Sequence, residues 1–74
     1  MSRLPVISGR QAVRAFGKAG WQTARFIKNH YQLVKQGRRE HLSVPDHKEL
    51  DRGLLRALIR VSGLTVQQFV DLLE

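Results

Sequence analysis

The chain contains no cysteine. A disulfide scaffold, a thiolate metal site and a cysteine nucleophile are therefore excluded. Long apolar runs are also missing: none approaches the ~18 residues of a membrane span, and the segment from Met1 to Pro5 lacks the apolar stretch of a signal peptide. We therefore expect a soluble, cytoplasmic protein, and 74 residues allow at most one small domain, residues 1–74.

Acidic residues are scarce as well. Six Asp and Glu stand against thirteen Lys and Arg, which gives a formal net charge of +7. Residues 1–44 hold nine of the basic groups and a single acid, Glu40. Net charge by itself suits any soluble basic protein. The uneven placement favours a directed basic surface, and nucleic acid is the expected partner because phosphates release counterions to each bound cation.

Helix signals flank the chain. Ser8 with Gln11 forms a capping box, and an apolar stripe follows, so the first helix is predicted over about residues 9–19. Asp51 is the predicted N-cap of a second helix, which ends at Gly63. A second capping box, Thr65 with Gln68, opens a short last helix.

Three strand-like segments lie between these helices, at residues 21–26, 30–35 and 41–44. Turns are predicted at Lys28-Asn29 and at Gln36-Gly37-Arg38. In the second strand, alternation places Tyr31 and Leu33 on one face and His30, Gln32 and Val34 on the other. In the third strand, Leu42 and Val44 match the inward phase.

The order α-β-β-β-α-α predicts an α+β fold, in which a three-stranded antiparallel sheet packs helices on one face. The other face of the sheet is then open to solvent. That face is predicted to carry His30, Gln32, His41 and Ser43, framed by Lys28, Lys35, Arg38 and Arg39. A basic, exposed sheet face with a central His is suited to hold RNA.

Several segments in this order and spacing resemble the HicA (YcfA-like) toxins of bacterial toxin–antitoxin pairs. They are Ser8-Gly9, Ala19-Gly20-Trp21, Arg25 five residues before His30, Leu42-Ser43-Val44-Pro45-Asp46-His47, and the stretch from Gly53 to Phe69. The resemblance extends from about Ser8 to Leu73. It implies a fold like that of double-stranded-RNA-binding domains, an mRNA-cleaving activity independent of the ribosome, and a HicB-type antitoxin that masks it.

The resemblance also implies site residues. The family's catalytic His follows the first strand, which is His30 here. In the family this His usually follows Gly-Ser, whereas Lys28-Asn29 precedes it here, a departure that concerns loop geometry and cleavage rate. The candidate RNA-binding residues are Arg25, Lys28, Asn29, Lys35, Arg38 and Arg39.

The chemistry requires a base and nearby cations. A metal-free ribonuclease deprotonates the ribose 2′-hydroxyl so that it attacks the neighbouring phosphorus, and an imidazole suits this step near neutral pH. Cations stabilise the charge on the phosphoryl oxygens, and the cations at positions 28, 35, 38 and 39 are expected within reach of His30. The candidate proton donors are His41, if the third strand pairs beside the second, the more distant His47, and water.

No cofactor is expected. Asp46, Glu49 and Asp51 are close in sequence but lie on a turn and a cap, so a Mg²⁺ site is not predicted. A non-catalytic RNA-binding module of the same fold remains the alternative function. A helix-turn-helix DNA binder is rejected because residues 66–74 contain two acids and no Lys or Arg; DNA is expected only through the antitoxin.

Two further features favour structural interpretations. Trp21 opens a strand and could stack on a base, but a single Trp in that place is more often part of the core. Arg52, Arg56 and Arg60 form one helical stripe, which is usually a solvated face and less often a contact with phosphates or an acidic partner.

Overall fold

The structure is a computed structural model that describes residues 3–74. Its elements are α1 (Gly9–Lys18), β1 (Gln22–Ile27), β2 (His30–Val34), β3 (Leu42–Pro45), α2 (Arg52–Ser62) and α3 (Val66–Asp71). The three strands form one antiparallel sheet in the order β1-β2-β3. The predicted element order and α+β fold are therefore confirmed.

The helix ends follow from local side chains. At α1, the Ser8 hydroxyl accepts a hydrogen bond from the Gln11 backbone N–H at 3.1 Å, and the Gln11 side chain accepts one from the Ser8 N–H at 2.9 Å. Thr65 and Gln68 repeat this capping box at α3. The Asp51 carboxylate caps the start of α2, and Gly63, in the left-handed conformation (φ 85°), caps its end. All three predicted caps are confirmed.

The strand register sets the inner face of the sheet. Leu33 pairs with Leu42, and Tyr31 pairs with Val44. Leu33, Leu42 and Val44 are fully buried, so the predicted inward phase is confirmed. Each such side chain contributes ~1.5–3 kcal/mol relative to exposure.

The helices cover this inner face. Their buried side chains join the strand residues in one core, to which α1 contributes Phe16 and α2 contributes Leu55 and Ile59. Phe69 of α3 packs on Phe16 with ring centroids 4.8 Å apart. Trp21 is also buried (2 % exposed), as its structural interpretation predicts. By contrast, all six residues of the edge strand β1 are exposed.

The start of α1 presses directly against the end of β3. The Gly9 N–H donates to the His47 carbonyl at 2.9 Å. A Cβ atom at Gly9 would lie only 2.0 Å from the Pro45 carbonyl oxygen, so only glycine fits here. Since Pro45 pairs with His30, this backbone contact holds the end of the sheet at which β2 begins.

Within the part of the chain that the structure describes, no helix has the length and apolar character needed to cross a membrane.

Candidate active site

The turn that precedes His30 is a two-residue hairpin loop. Lys28 (φ 52°) and Asn29 (φ 62°) both adopt left-handed backbone conformations, the combination of a type I′ turn. Asn tolerates the left-handed conformation, whereas the same conformation destabilises a residue such as Lys by ~1–2 kcal/mol. The Asn29 carbonyl accepts a hydrogen bond from the Asp46 N–H at 2.8 Å. The turn is therefore fixed to the segment that follows β3.

This turn orients the His30 ring. His30 is half-buried, and its Nδ1 atom lies 2.9 Å from the Lys28 carbonyl oxygen. A carbonyl oxygen can only accept, so Nδ1 carries the proton in this hydrogen bond. In the neutral ring, Nε2 is then the nitrogen with the lone pair. The local backbone thus sets the tautomer that a general base needs.

His30 belongs to the outer face of the sheet, together with Gln32. Gln32 pairs with Arg25 of β1 and Ser43 of β3, and its Nε2 donates to the Ser43 hydroxyl at 3.1 Å. The register of β1 shifts between Thr23 and Arg25, which leaves Ala24 as an extra, bulged residue. A shallow depression follows, lined by Ala24, Arg25, Ile27, Gln32, Val34 and His41.

The structure does not bring His41 to His30. Leu42 pairs with Leu33, so His41 lies beside Val34, four residues along β2 from His30. This separation is ~13 Å along the strand. A base and an acid that act on one phosphodiester must flank a single phosphate, so this spacing does not support His41 as the proton donor, and that role stays a prediction.

The predicted cations also separate into two groups. Arg25 and Lys28 lie on the first hairpin with His30. Lys35 begins the second connection, ~16 Å along the strand from His30, and its Cε atom would be 3.1 Å from a Cβ placed at Gly20. β2 extends between His30 and positions 35, 38 and 39, so the expectation that these three cations lie within reach of His30 stays a prediction.

Hydrogen bonds to α2 and to Glu40 hold the Arg38 side chain in place. Its guanidinium donates to the Val61 carbonyl at 2.6 Å, to the Ser62 carbonyl at 3.1 Å and to the Glu40 carboxylate at 3.0 Å. It also lies 5.7 Å from the centre of the Trp21 ring. These contacts cap the C-terminus of α2, so any contact of Arg38 with RNA would compete with them. Arg39, beside it, is exposed.

Local patterns did not indicate a cluster at the His30 end of the sheet. Arg10 forms an ion pair with Asp46, Nε to Oδ1, at 3.3 Å. A hydrogen bond with the Tyr31 side chain and the Asp46 carboxylate both raise the pKa of Arg10. The two residues of the ion pair are 36 positions apart in sequence, so no short motif could have revealed it.

Apolar side chains at the same end are exposed. Phe26 and Ile27 are 50 % and 45 % exposed, and Phe26 packs on Tyr31 with centroids 4.7 Å apart. Strand alternation gives no signal for this exposure, because β1 is an edge strand that is exposed along its whole length.

His47 lies apart from the open face. It borders a cleft with Ser8, Arg10, Asp46 and Lys48, and its carbonyl accepts the hydrogen bond from Gly9. Among residues 3–74, no three His, Cys, Asp or Glu side chains come together in a group able to hold a metal ion.

No curated protein matches the chain. The family model described as the HicA toxin of bacterial toxin–antitoxin systems matches residues 9–64. That range covers more than half of the 74 residues, from the glycine that contacts β3 to the second residue after the end of α2, and includes the His30 turn and the whole sheet. On this match, the chain belongs to the HicA toxin family, which implies an antitoxin partner.

Proposed function

We propose that this protein is an endoribonuclease toxin that cleaves mRNA without the ribosome and without a metal, with His30 as the general base. The observation that carries the proposal is the 2.9 Å contact between His30 Nδ1 and the Lys28 carbonyl. It supports this role because, in the neutral ring, it fixes the tautomer in which Nε2 carries the lone pair that accepts a proton.

In the proposed reaction, Nε2 of His30 takes the proton of a ribose 2′-hydroxyl. The 2′-oxygen forms a bond to the adjacent phosphorus while the bond from phosphorus to the 5′-oxygen of the next nucleotide breaks. The products are a 2′,3′-cyclic phosphate and a 5′-hydroxyl, whose proton comes from water. The proton on His30 then returns to solvent, which restores the neutral base.

Cations beside the reacting phosphate lower the barrier because negative charge builds on its non-bridging oxygens. Lys28 and Arg25 are the nearest candidates by topology, since they share the first hairpin with His30. Asn29 can contribute hydrogen bonds from the turn. Lys35 and Arg39 are assigned to RNA further along β2, and Arg38 is the least available because of its contacts with α2.

We further propose that the antitoxin partner is of the HicB type. An antitoxin that covers the basic outer face and occludes His30 would prevent RNA from reaching the base. Acidic groups on such a partner would complement the excess of basic residues on this chain and speed association. Expression of the chain alone is then expected to stop growth, and co-expression of the neighbouring gene product is expected to restore it. Harmless expression of folded protein would contradict this.

One observation favours the alternative, a non-catalytic RNA-binding module. His41, the predicted proton donor, is ~13 Å along the strand from His30. A site with one imidazole can hold RNA without cleaving it. In that case the half-buried His30 contacts the RNA backbone and does not act as a base.

Purified protein and its His30→Ala variant separate these functions. Both are incubated with a structured and an unstructured transcript in the presence of a chelator, and the product ends are analysed. The proposal predicts cyclic phosphate ends for the wild type and cleavage slowed ~10²–10⁴-fold in the variant, with RNA binding retained. Equal cleavage by both would remove His30 from the mechanism, and binding without cleavage by the wild type would establish the alternative.

A His41→Ala variant completes the experiment. If water protonates the leaving oxygen, this variant cleaves at a rate close to that of the wild type. A loss as large as that of His30→Ala would instead restore His41 as the donor.

A further inference from the structure

A second basic surface lies on α2, away from the candidate active site. Arg52, Arg56 and Arg60 are all exposed, and their spacing of four residues places successive Cα atoms ~6 Å apart along one side of the helix. Arg3 extends the line at the N-terminal end of α2. We call Arg3, Arg52, Arg56 and Arg60 the α2 arginine row.

No Asp or Glu among residues 3–74 forms an ion pair with this row. Residues 52–70 contain no Asp or Glu. Across residues 3–74, the side-chain ion pairs are Arg10 with Asp46 and Arg38 with Glu40, and neither includes a member of the row. The α2 arginine row is thus a line of cations, whereas Arg38 and Arg10 are already paired.

The surface between the arginines is grooved. One depression is lined by Arg3, Leu4, Pro5, Arg52 and Arg56. A second is lined by Arg56, Ile59, Arg60, Leu64, Thr65 and Val66. Arg56 borders both, so the two form a continuous path along α2. The segment bearing Arg3 is fixed beside this path because Leu4 is buried and the Leu50 N–H donates to the Ile7 carbonyl at 2.8 Å.

The path is on the side of the sheet that the helices cover. Leu55 and Ile59 of α2 pack in the core beneath the inner face of the sheet. Arg56 and Arg60 each follow one of them by ~100° around the helix, so the row lies along an exposed flank of α2. His30 belongs to the outer face. The thinnest dimension of the domain is 20 Å, a distance that a flexible single strand can span around an edge.

We propose that the α2 arginine row binds the phosphate backbone of the RNA outside the segment that is cleaved. This inference rests on the proposed ribonuclease function. Guanidinium groups bind phosphates through paired N–H donors, and a polar, strongly cationic surface is typical of nucleic-acid interfaces. Protein interfaces are enriched in Arg as well, and loss of neutralisation by the antitoxin is the outcome of the test that would identify such a partner.

The row then acts as an anchor for long transcripts. RNA held on α2 keeps the remaining strand close to His30 at a high effective concentration. The contact contributes to binding rather than to the transition state, so its loss raises KM and leaves kcat unchanged. A short RNA that covers only the outer face gains nothing from the row.

The test uses the full chain with the double substitution Arg56→Gln/Arg60→Gln, and Arg14→Gln/Lys18→Gln on α1 as the charge-matched control. Both sites are exposed helix positions, and Gln is as good a helix former as Arg or Lys. Affinity is measured in the His30→Ala background, as a function of salt, for an RNA of ~8 nucleotides and for one several times longer.

For the long RNA, we expect the α2 double variant to bind ~10-fold more weakly. Its plot of log K against log[salt] should be shallower by ~1.4, from two phosphates at ~0.7 each. Binding of the short RNA should not change, and the control variant should match the parent with both. In the cleaving background, KM for the long RNA should rise with kcat unchanged.

Three results would overturn the inference. Equal affinity and salt slope in the parent and the α2 variant would show that the row does not touch RNA. An equal loss with short RNA would place the row in the cleavage site itself. Normal RNA binding combined with lost neutralisation by the antitoxin would make the row a protein interface. Failure of the wild type to bind either RNA would instead remove the proposed function as well.

Discussion

The two ends of the sheet use the same kinds of side chain for different purposes. At one end, the Lys28-Asn29 turn orients His30 with a backbone carbonyl, and the Asp46 N–H holds the turn through a backbone hydrogen bond to the Asn29 carbonyl. At the other end, the Arg38 guanidinium donates hydrogen bonds to Val61, Ser62 and Glu40, and it lies over the Trp21 ring. Backbone hydrogen bonds hold the turn at the first end, whereas the side chain of Arg38 ties the second end to α2.

The difference shows why charge alone is a poor guide to function in this chain. Lys28 and Arg38 are both basic residues next to a hairpin turn. Backbone contacts at the His30 end leave the Lys28 ammonium available for a ligand, whereas the contacts of Arg38 stabilise the fold. The predictions below test this contrast, from the largest expected effect to the smallest.

Gly9→Ala tests the backbone contact at the His30 end. The added Cβ would lie 2.0 Å from the Pro45 carbonyl oxygen, so α1 or β3 must shift, and we expect a loss of ~3 kcal/mol in the free energy of unfolding. Gly17→Ala is the control, because a Cβ there meets nothing within 4 Å; it should gain up to ~1 kcal/mol. Denaturant unfolding measures both, and equal effects would contradict the role of the contact.

Arg38→Met tests the side-chain anchor at the other end. It removes the hydrogen bonds to the two α2 carbonyls and to Glu40, and we expect a loss of ~2 kcal/mol in the free energy of unfolding. The neighbouring Arg39→Met should change stability by less than ~0.5 kcal/mol. If Arg38→Met were as stable as the wild type but weakened RNA binding, Arg38 would belong to the RNA site.

Lys28→Gln tests the available cation beside His30. We expect cleavage to slow by ~10-fold. This loss is smaller than the loss expected for removal of a buried donor to the reacting phosphate, because Lys28 is exposed. The free energy of unfolding should stay unchanged, which is the reverse of the result expected for Arg38→Met. Single-turnover cleavage and thermal unfolding provide the two measurements. A loss of stability without a loss of cleavage rate would make Lys28, like Arg38, a residue that stabilises the fold.

Lys28→Gly tests the strain in the turn. Glycine adopts φ 52° without steric cost, so the variant should be more stable by up to ~1 kcal/mol, a Tm increase of ~4–8 °C. Asn29→Gly should gain less, because Asn tolerates the left-handed region. A loss of stability in Lys28→Gly would show that the lysine side chain stabilises the turn.

The pH dependence of stability tests the Arg38 end. The hydrogen bond from Arg38 lowers the pKa of Glu40 below its ordinary value of 4.5. The folded-state pKa is thus below the unfolded one, so this stabilisation is present above pH ~4.5 and is lost as the pH falls through the folded-state pKa. Glu40→Gln should flatten the curve of Tm against pH in this acid range, by a small amount because Glu40 is exposed.

Local features of this fold could be predicted from the sequence, and contacts between distant residues could not. The capping boxes at Ser8 and Thr65 connect groups three residues apart, and the inward phase of Leu33 and Leu42 follows from strand alternation. The ion pair of Arg10 with Asp46 and the contacts of Arg38 with α2 join residues 23 to 36 positions apart. They depend on how the elements pack, which local pattern does not encode.

The candidate site shows the same division. The position of His30 after a two-residue turn could be predicted, because a turn is a local structure. Its separation from His41 could not, because that distance depends on the register between β2 and β3. The exposure of Phe26 and Ile27 was missed for a related reason: the helices do not cover β1, and strand alternation assumes that one face is buried.

The placement of Trp21 has a practical consequence. It is the only tryptophan of the chain, so all indole fluorescence comes from the Arg38 end of the molecule. Its buried ring should emit at shorter wavelengths in the folded protein and shift to the red when water reaches it. The chain therefore has an intrinsic optical probe that reports the entry of water into the core beside Arg38.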